Sequence, residues 1–275
     1  MAEVSVSGNM WMYCDSDKAE RCINSVQDEK TEAFQIVGAA RTARWLITCD
    51  HASNHVPDWV SGGDLGICAA DMARHIAFDV GAAGLAVALA EKLGAPAVLS
   101  RFSRLVIDPN RGEDDPTLVM KLYDGTIIPA NRHVTQADIN LRLDRLYRPY
   151  HAALARMAAR QADTVIVAIH SFTPALKGRP PRPWQVGVLH SHHDSRLSLP
   201  LIADLAQDAS LCVGDNEPYA GHLPKDAIDR HALQHGRHNT LIEVRNDLIT
   251  TAKSQQAWAN TVAAALQRAL AALER

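Results

Sequence analysis

Thr164-Val-Ile-Val-Ala-Ile169 is an unbroken apolar run, rich in β-branched residues, that stops at His170-Ser171. A strand with one wet face alternates apolar and polar side chains, whereas a strand buried on both faces of a parallel sheet reads as a continuous run. The segment is therefore predicted to be a central parallel strand that ends in polar groups. Working outward, strand-length runs recur at Arg44–Asp50, Pro96–Ser100, Arg104–Asp108, Gln185–Leu189 and Thr240–Val244. Longer Ala/Leu-rich stretches with helical spacing lie between or after them. These run from about Ala69 to Leu93, closed by Gly94 and Pro96, from about Gln136 to Gln161, and from Ala252 to Leu273. Strands alternating with helices imply βαβ units. The expectation is one α/β domain over residues 34–275, with a mixed, mainly parallel sheet flanked by helices. Residues 1–33 are polar and aperiodic and read as an N-terminal extension, and Gly178–Pro183 reads as a rigid surface loop.

Composition supports this and narrows the partners. The chain has 275 residues, 47% apolar and 21% charged, which excludes wholesale disorder and fibrous architectures. Its net charge of −3 provides no global field for holding a polyanion, so nucleic acid is not an expected partner. No apolar run approaches the roughly 20 residues needed to cross a bilayer, and no membrane partner is expected. The N-terminal residues lack the basic and apolar regions of a secretory signal, so a cytoplasmic location is expected. Five cysteines, Cys14, Cys22, Cys49, Cys68 and Cys212, are odd in number and never in a CxxC pair, which argues against a disulfide framework. Thirteen histidines direct attention to imidazole chemistry.

Ligands of open α/β sheets bind beyond the carboxyl ends of the strands. Four predicted strand ends carry polar groups: Asp50-His51-Ala-Ser-Asn54-His55, Asp108-Pro-Asn110-Arg111, His170-Ser171, and Glu243 within Leu-Ile-Glu-Val-Arg245. Two histidines from separate strand ends, with one carboxylate and a water, would make an open catalytic zinc site. Each could instead cap its strand by bonding to backbone. An acid inside an apolar strand needs a partner, and for Glu243 that partner is either this site or a salt bridge to Arg245.

Five segments taken together resemble one family. Cys49-Asp-His-Ala-Ser-Asn-His-Val-Pro57, Ser103-Arg-Leu-Val-Ile-Asp-Pro-Asn-Arg111, Ala168-Ile-His-Ser-Phe-Thr-Pro174, Gly214-Asp-Asn-Glu-Pro-Tyr219 and Ile242-Glu-Val-Arg-Asn-Asp-Leu248 are similar, in this order, to N-formylglutamate amidohydrolases. The similarity runs from about residue 34 to the C-terminus, and the family is distantly similar to zinc carboxypeptidases and aspartoacylases. The resemblance implies a three-layer α/β/α sandwich of the phosphorylase/hydrolase-like type. It further implies Zn2+, or another divalent metal, held by His51 and His170, with Glu243 as general base. Asn110 and Arg111 would bind substrate, joined by Arg104 and Ser171, and Arg111 or Arg104 would stabilise the developing oxyanion. The implied reaction is hydrolysis of the N-formyl, or a related N-acyl, amide of an acidic amino acid such as N-formyl-L-glutamate, giving formate and glutamate. The partner is then a small-molecule N-acyl amino acid, and a homo-oligomer is left open. In the related peptidases a ligating glutamate follows the first histidine by three residues, but here Asn54 stands there. The third ligand must come from elsewhere, and Asp71, then His75, on one face of the Ala69–Leu93 helix are favoured over Asp79 two turns later. Asp71 is equally readable as an ordinary acid in a first helical turn.

Several rivals are weaker. A serine hydrolase lacks a G-x-S-x-G elbow around Ser53, Ser103 or Ser171. A cysteine nucleophile would have to be Cys49 beside His51. The His190-Ser-His192-His193-Asp194 cluster reads as a solvated turn from which His190 alone reaches inward. His231 and His235 are four apart and read, with His238, as a surface face or pocket lining. A silent metal- or acidic-ligand-binding protein that keeps the fold is the alternative from outside enzymology, and Glu243 speaks against it.

Overall fold

The computed structural model describes residues 28–176 and 178–275. Most of the expected N-terminal extension, with Cys14 and Cys22, lies outside the described residues. Its last part joins the sheet as β1 (Glu29–Lys30), followed by β2 (Phe34–Val37), β3 (Trp45–Cys49) and β4 (Ala97–Ser100). A two-strand hairpin, β5 (Leu122–Tyr123) and β6 (Thr126–Ile127), stands apart. The main sheet continues with β7 (Val165–Phe172), β8 (Val186–Leu189), β9 (Val213–Asp215) and β10 (Asn239–Arg245). Its order is β1-β2-β4-β3-β7-β10-β8-β9. The central pairs β4/β3, β3/β7 and β7/β10 are parallel, and β10/β8 is antiparallel.

The helices are α1 (Ala69–Met72), α2 (Ala82–Lys92), α3 (Gln136–Arg142), α4 (Arg148–Ala158), α5 (Ser198–Leu205), α6 (Ala227–His231) and α7 (Ala252–Leu273). A wider π turn, Leu143–Tyr147, joins α3 to α4. Period-two alternation sends successive strand residues to opposite layers. Val165, Val167 and Ile169 pack with Leu85 and Leu89 of α2 and Val262 and Leu266 of α7, whereas Ile166 and Ala168 pack with Tyr150, Leu154 and Met157 of α4. The expected three-layer α/β/α arrangement is thus present, and β7 is buried along its whole length.

Two expected elements differ. The Ala69–Leu93 helix is two pieces separated by residues 73–81, and Gly81 takes a left-handed φ of 81° immediately before α2. A Cβ at Gly81 would run into the Ile249 carbonyl oxygen, so only glycine fits the close approach. Arg104–Asp108 is a buried turn and not a strand. The Ser103 hydroxyl accepts from the Leu105 N–H at 3.2 Å, and the Ser103 carbonyl accepts from the Val106 N–H at 2.9 Å. These local partners satisfy donors that a sheet ladder would otherwise use.

Candidate active site

The parallel register of β7 and β10 sets Glu243 directly beside His170. Both continue the face that carries Ala168 and Leu241, so they emerge together at the carboxyl end of the sheet. His51 lies just past the end of β3 on the same side, with its ring centroid 5.0 Å from that of His170. The chain between α1 and α2 returns to this point, and the Asp79 N–H donates to the His51 carbonyl at 2.9 Å. That bond holds the Asp79 carboxylate between the two rings. Its Oδ2 is 2.8 Å from His170 Nδ1 and 3.3 Å from His51 Nδ1.

The far side of each ring is also occupied. His51 Nε2 is 2.7 Å from Asp108 Oδ1, and His170 Nε2 is 3.2 Å from Asp50 Oδ2. Asp50 accepts a further bond from the Tyr150 hydroxyl at 2.7 Å. One donor atom each from His51, Asp79 and His170 lies within 4.8 Å of the others, and all three residues are buried. Two imidazoles and a carboxylate, with the other imidazole nitrogens held by acids, form a set compatible with an open divalent-metal site.

Electrostatics separates the acids. Burial pushes Asp79 upward, but His51 and His170 outweigh it and hold the carboxyl below its ordinary range. Glu243 moves the other way, to about 7, chiefly through burial, with His170 only partly offsetting it. Its Oε2 is buried without a hydrogen-bond partner. The salt bridge considered with Arg245 is absent, since Arg245 pairs with Asp247 at 2.8 Å. A buried carboxyl beside two imidazoles, poised near neutral pH, is suited to moving a proton.

A cavity of about 320 Å³ opens here, lined by His51, Asp79, His170 and Glu243 together with Arg104, Asn110, Arg111 and Ser171. The sequence-predicted binding residues are thus brought together, in unequal states. Arg104 is held by Asp108 at 3.0 Å and Asp79 at 3.4 Å and lies over the Tyr123 ring at 5.4 Å. Arg111 is partly exposed and is braced by the Asn110 carbonyl at 2.7 Å and Thr117 Oγ1 at 3.2 Å. Asn110 Oδ1 accepts from the Ala227 N–H at 3.2 Å, and the Ser171 hydroxyl is committed to the Val80 carbonyl at 2.8 Å.

Other expected participants lie elsewhere. Asp71 does not meet the histidine pair, because its carboxylate binds Arg74 at 2.8 Å. His75 lines the cavity but sits 3.5 Å from Asp124, outside the His51–Asp79–His170 group. Asn54 donates to the Met72 carbonyl at 2.9 Å. Cys49 points into the opposite apolar layer, and burial pushes its thiol up, which removes it as a nucleophile. His190 bonds to Asp215 at 2.8 Å and does not line the cavity. His231 is not on the surface but is buried and stacked on His151, at 5.2 Å between centroids.

Asp79, Asp108 and Asp50 as partners of the two histidines are what residue order alone did not reveal. The available signal was Gly81 two residues after Asp79, which marks a chain break and hence a helix start where a continuous helix was assumed.

The family model for N-formylglutamate amidohydrolase matches residues 43–250. The crystal structure of a gene product from Agrobacterium tumefaciens shares 37% identity, covering 89% of this chain and 97% of that one, with a TM-score of 0.82. An N-formylglutamate amidohydrolase from Ralstonia eutropha superposes with a TM-score of 0.65 at 22% identity, covering 89% of this chain and 98% of that one. No curated protein matches the sequence. No helix among the described residues is long and apolar enough to cross a membrane.

Proposed function

The chain belongs to the N-formylglutamate amidohydrolase family, whose members are hydrolases of amide bonds, and from that premise we propose that it removes the N-formyl group of an acidic amino acid. N-formyl-L-glutamate is the substrate of choice, with formate and glutamate as products. The observation that carries the reading is the convergence of His51, His170 and Asp79 beside the unpaired Glu243 Oε2 in one cavity.

The donor set fits zinc: two imidazole nitrogens, one carboxylate, and room for a fourth group. His51, His170 and Asp79 would hold the ion, and Asp108 and Asp50 would fix the ring orientations. When bound, such an ion supplies Lewis acidity, lowering the pKa of a water from 15.7 to about 7 and polarising a carbonyl. Glu243 takes the proton from the attacking water and returns it to the amine nitrogen as the C–N bond breaks. Its raised pKa lets it act as base first and acid afterwards near neutral pH. Arg111 pairs with a substrate carboxylate, and its bonds to Asn110 and Thr117 fix the guanidinium in advance. Arg104 positions Asp79 and Asp108 and is itself part of the cavity lining. A silent binding protein would have no use for a buried, unpaired carboxyl at this point.

Formate release from N-formyl-L-glutamate by Glu243→Gln tests the reading. Turnover is expected to fall by about 10²- to 10⁴-fold with metal content unchanged. Full turnover in that variant would refute the role of Glu243. Equal zinc content in the parent protein and a His51→Ala, His170→Ala double variant would refute the ligand assignment.

A further inference from the structure

His192 and His193 stand on the turn after β8, and His222 stands on the segment between β9 and α6. One ring nitrogen from each lies within 4.8 Å of the other two. The ring centroids are 3.8 Å apart for His192 and His193, 5.3 Å for His193 and His222, and 5.7 Å for His192 and His222. None of these rings lines the catalytic cavity. Among the described residues, neither the His192 nor the His193 ring has a hydrogen-bond partner. His222 Nε2 lies 3.9 Å from Asp229 Oδ1.

The two segments are joined independently of these rings. The His190 N–H donates to Asn216 Oδ1 at 2.9 Å, and His190 Nε2 pairs with Asp215 at 2.8 Å. A Cβ on Gly221 would collide with the His190 backbone nitrogen, so the chains touch directly beside His222. The imidazoles are therefore presented by a built junction and not by two independent loops.

We propose that His192, His193 and His222 form a second, surface site for a borderline divalent transition ion such as Zn2+ or Ni2+, with the fourth position left to water. Tetrahedral zinc with bonds of about 2.0–2.1 Å needs donors about 3.3 Å apart. The present spacing closes to that value by rotation of the exposed His192 and His193 side chains. Imidazole is a suitable donor for these ions, and three of them distinguish the site from Mg2+ or Ca2+ sites, which take oxygen. Occupancy has a structural consequence, because Tyr219, Gly221 and Leu223 line the catalytic cavity on either side of His222. An ion here ties that wall of the cavity to the β8 turn.

Zinc equivalents bound by the full-length protein after equilibrium dialysis test the proposal. Two per chain are expected for the parent protein. One is expected for His222→Ala and for the His192→Ala, His193→Ala double variant. Weakening of the lost site should be at least the ~10- to 100-fold that removal of an outer-shell partner costs elsewhere. His133→Ala, which removes an exposed histidine on another face, should retain both equivalents. Should the buried site take no zinc, the counts become one for the parent and none for His222→Ala, so failure of the proposed catalytic reading is separately visible. Equal equivalents in the parent and His222→Ala overturn the surface site. The milder His222→Gln and His193→Gln variants must show the same loss, which guards against misfolding of the alanine variants.

Discussion

Replacing Asp79 with asparagine, and separately Asp71 with alanine, tests which acid completes the site. Asp79 Oδ2 touches both imidazole Nδ1 atoms, at 2.8 Å and 3.3 Å, whereas Asp71 is paired with Arg74. Asparagine keeps the shape but removes the charge and the better donor. A bound ion stabilises the native state by about 2.7 kcal/mol when its free concentration is 100 times Kd. A 100-fold loss of affinity, the upper end of what even an outer-shell change causes, reduces that to about 0.4 kcal/mol. The difference is ~2.3 kcal/mol, and at about 2–4 °C per kcal/mol for chains of this order the zinc-induced rise in Tm should shrink by about 5–9 °C. Calorimetric scans with chelator and at fixed free zinc, in a His222→Ala background, measure this directly. Asp71→Ala should leave the zinc-induced rise intact. An unchanged rise in Asp79→Asn, or its loss in Asp71→Ala, would refute the reasoning.

The remaining predictions address the supports of the site. Gly81→Ala places a Cβ against the Ile249 carbonyl at a left-handed φ, and should destabilise by at least about 1–3 kcal/mol in chemical unfolding while weakening metal retention through displacement of Asp79. Asp108→Asn removes the acid 2.7 Å from His51 Nε2 and should weaken zinc binding about 10- to 100-fold by competition titration, without the cavity losing its shape. His231 is held near 4 by burial and then by Arg230, so it is neutral in the native state and becomes protonated on unfolding below about 6.5. Stability should therefore fall as pH drops from 6.5 toward 4, by on the order of 3 kcal/mol, and His231→Gln should flatten that slope in Tm measured against pH.

What the sequence revealed follows from which forces act locally. Central strands were legible because burial on both faces excludes polar residues, and β7 and β10 extend from those runs by only a few residues. The terminal helix, Ala252–Leu273, coincides with its periodic stretch because Thr251 caps it, accepting from the Ser254 N–H. His51, His170 and Glu243 were legible because they interrupt or end apolar runs at one edge of the sheet. Asp79 was hidden because its segment has helical composition on both sides, and the close approach of Gly81 to Ile249, 168 residues along the chain from it, is a tertiary contact that spacing does not contain. Arg104–Asp108 misled for the opposite reason: it has strand composition, but Ser103 and the buried position of Asp108 favour a turn. The separation of Asp50, Asp79 and Asp108 into partners of two rings is tertiary information that no spacing contains.

The hydrogen bonding around the two rings limits what the site can be. A neutral imidazole donates through one nitrogen and accepts through the other. Yet His51 and His170 each face carboxylate oxygens at both nitrogens, and Asp79 Oδ2 is shared between them. A neutral ring in either position would set a lone pair against an anionic oxygen. Two arrangements relieve this: a proton on every ring nitrogen, or a cation shared by the Nδ1 atoms and Asp79. The surrounding charge points the same way. Asp50, Asp79 and Asp108 are all buried, and Arg104 is a buried cation that pairs with Asp79 and Asp108, which leaves −3 + 1 = −2 when the rings are neutral, before any charge on Glu243 is added. Apolar side chains of similar volume would serve a merely structural core as well or better than such a cluster. Its concentration at the carboxyl ends of β3, β7 and β10, in a cavity open to small molecules, is compatible with the proposed role of binding a divalent ion and moving a proton beside it.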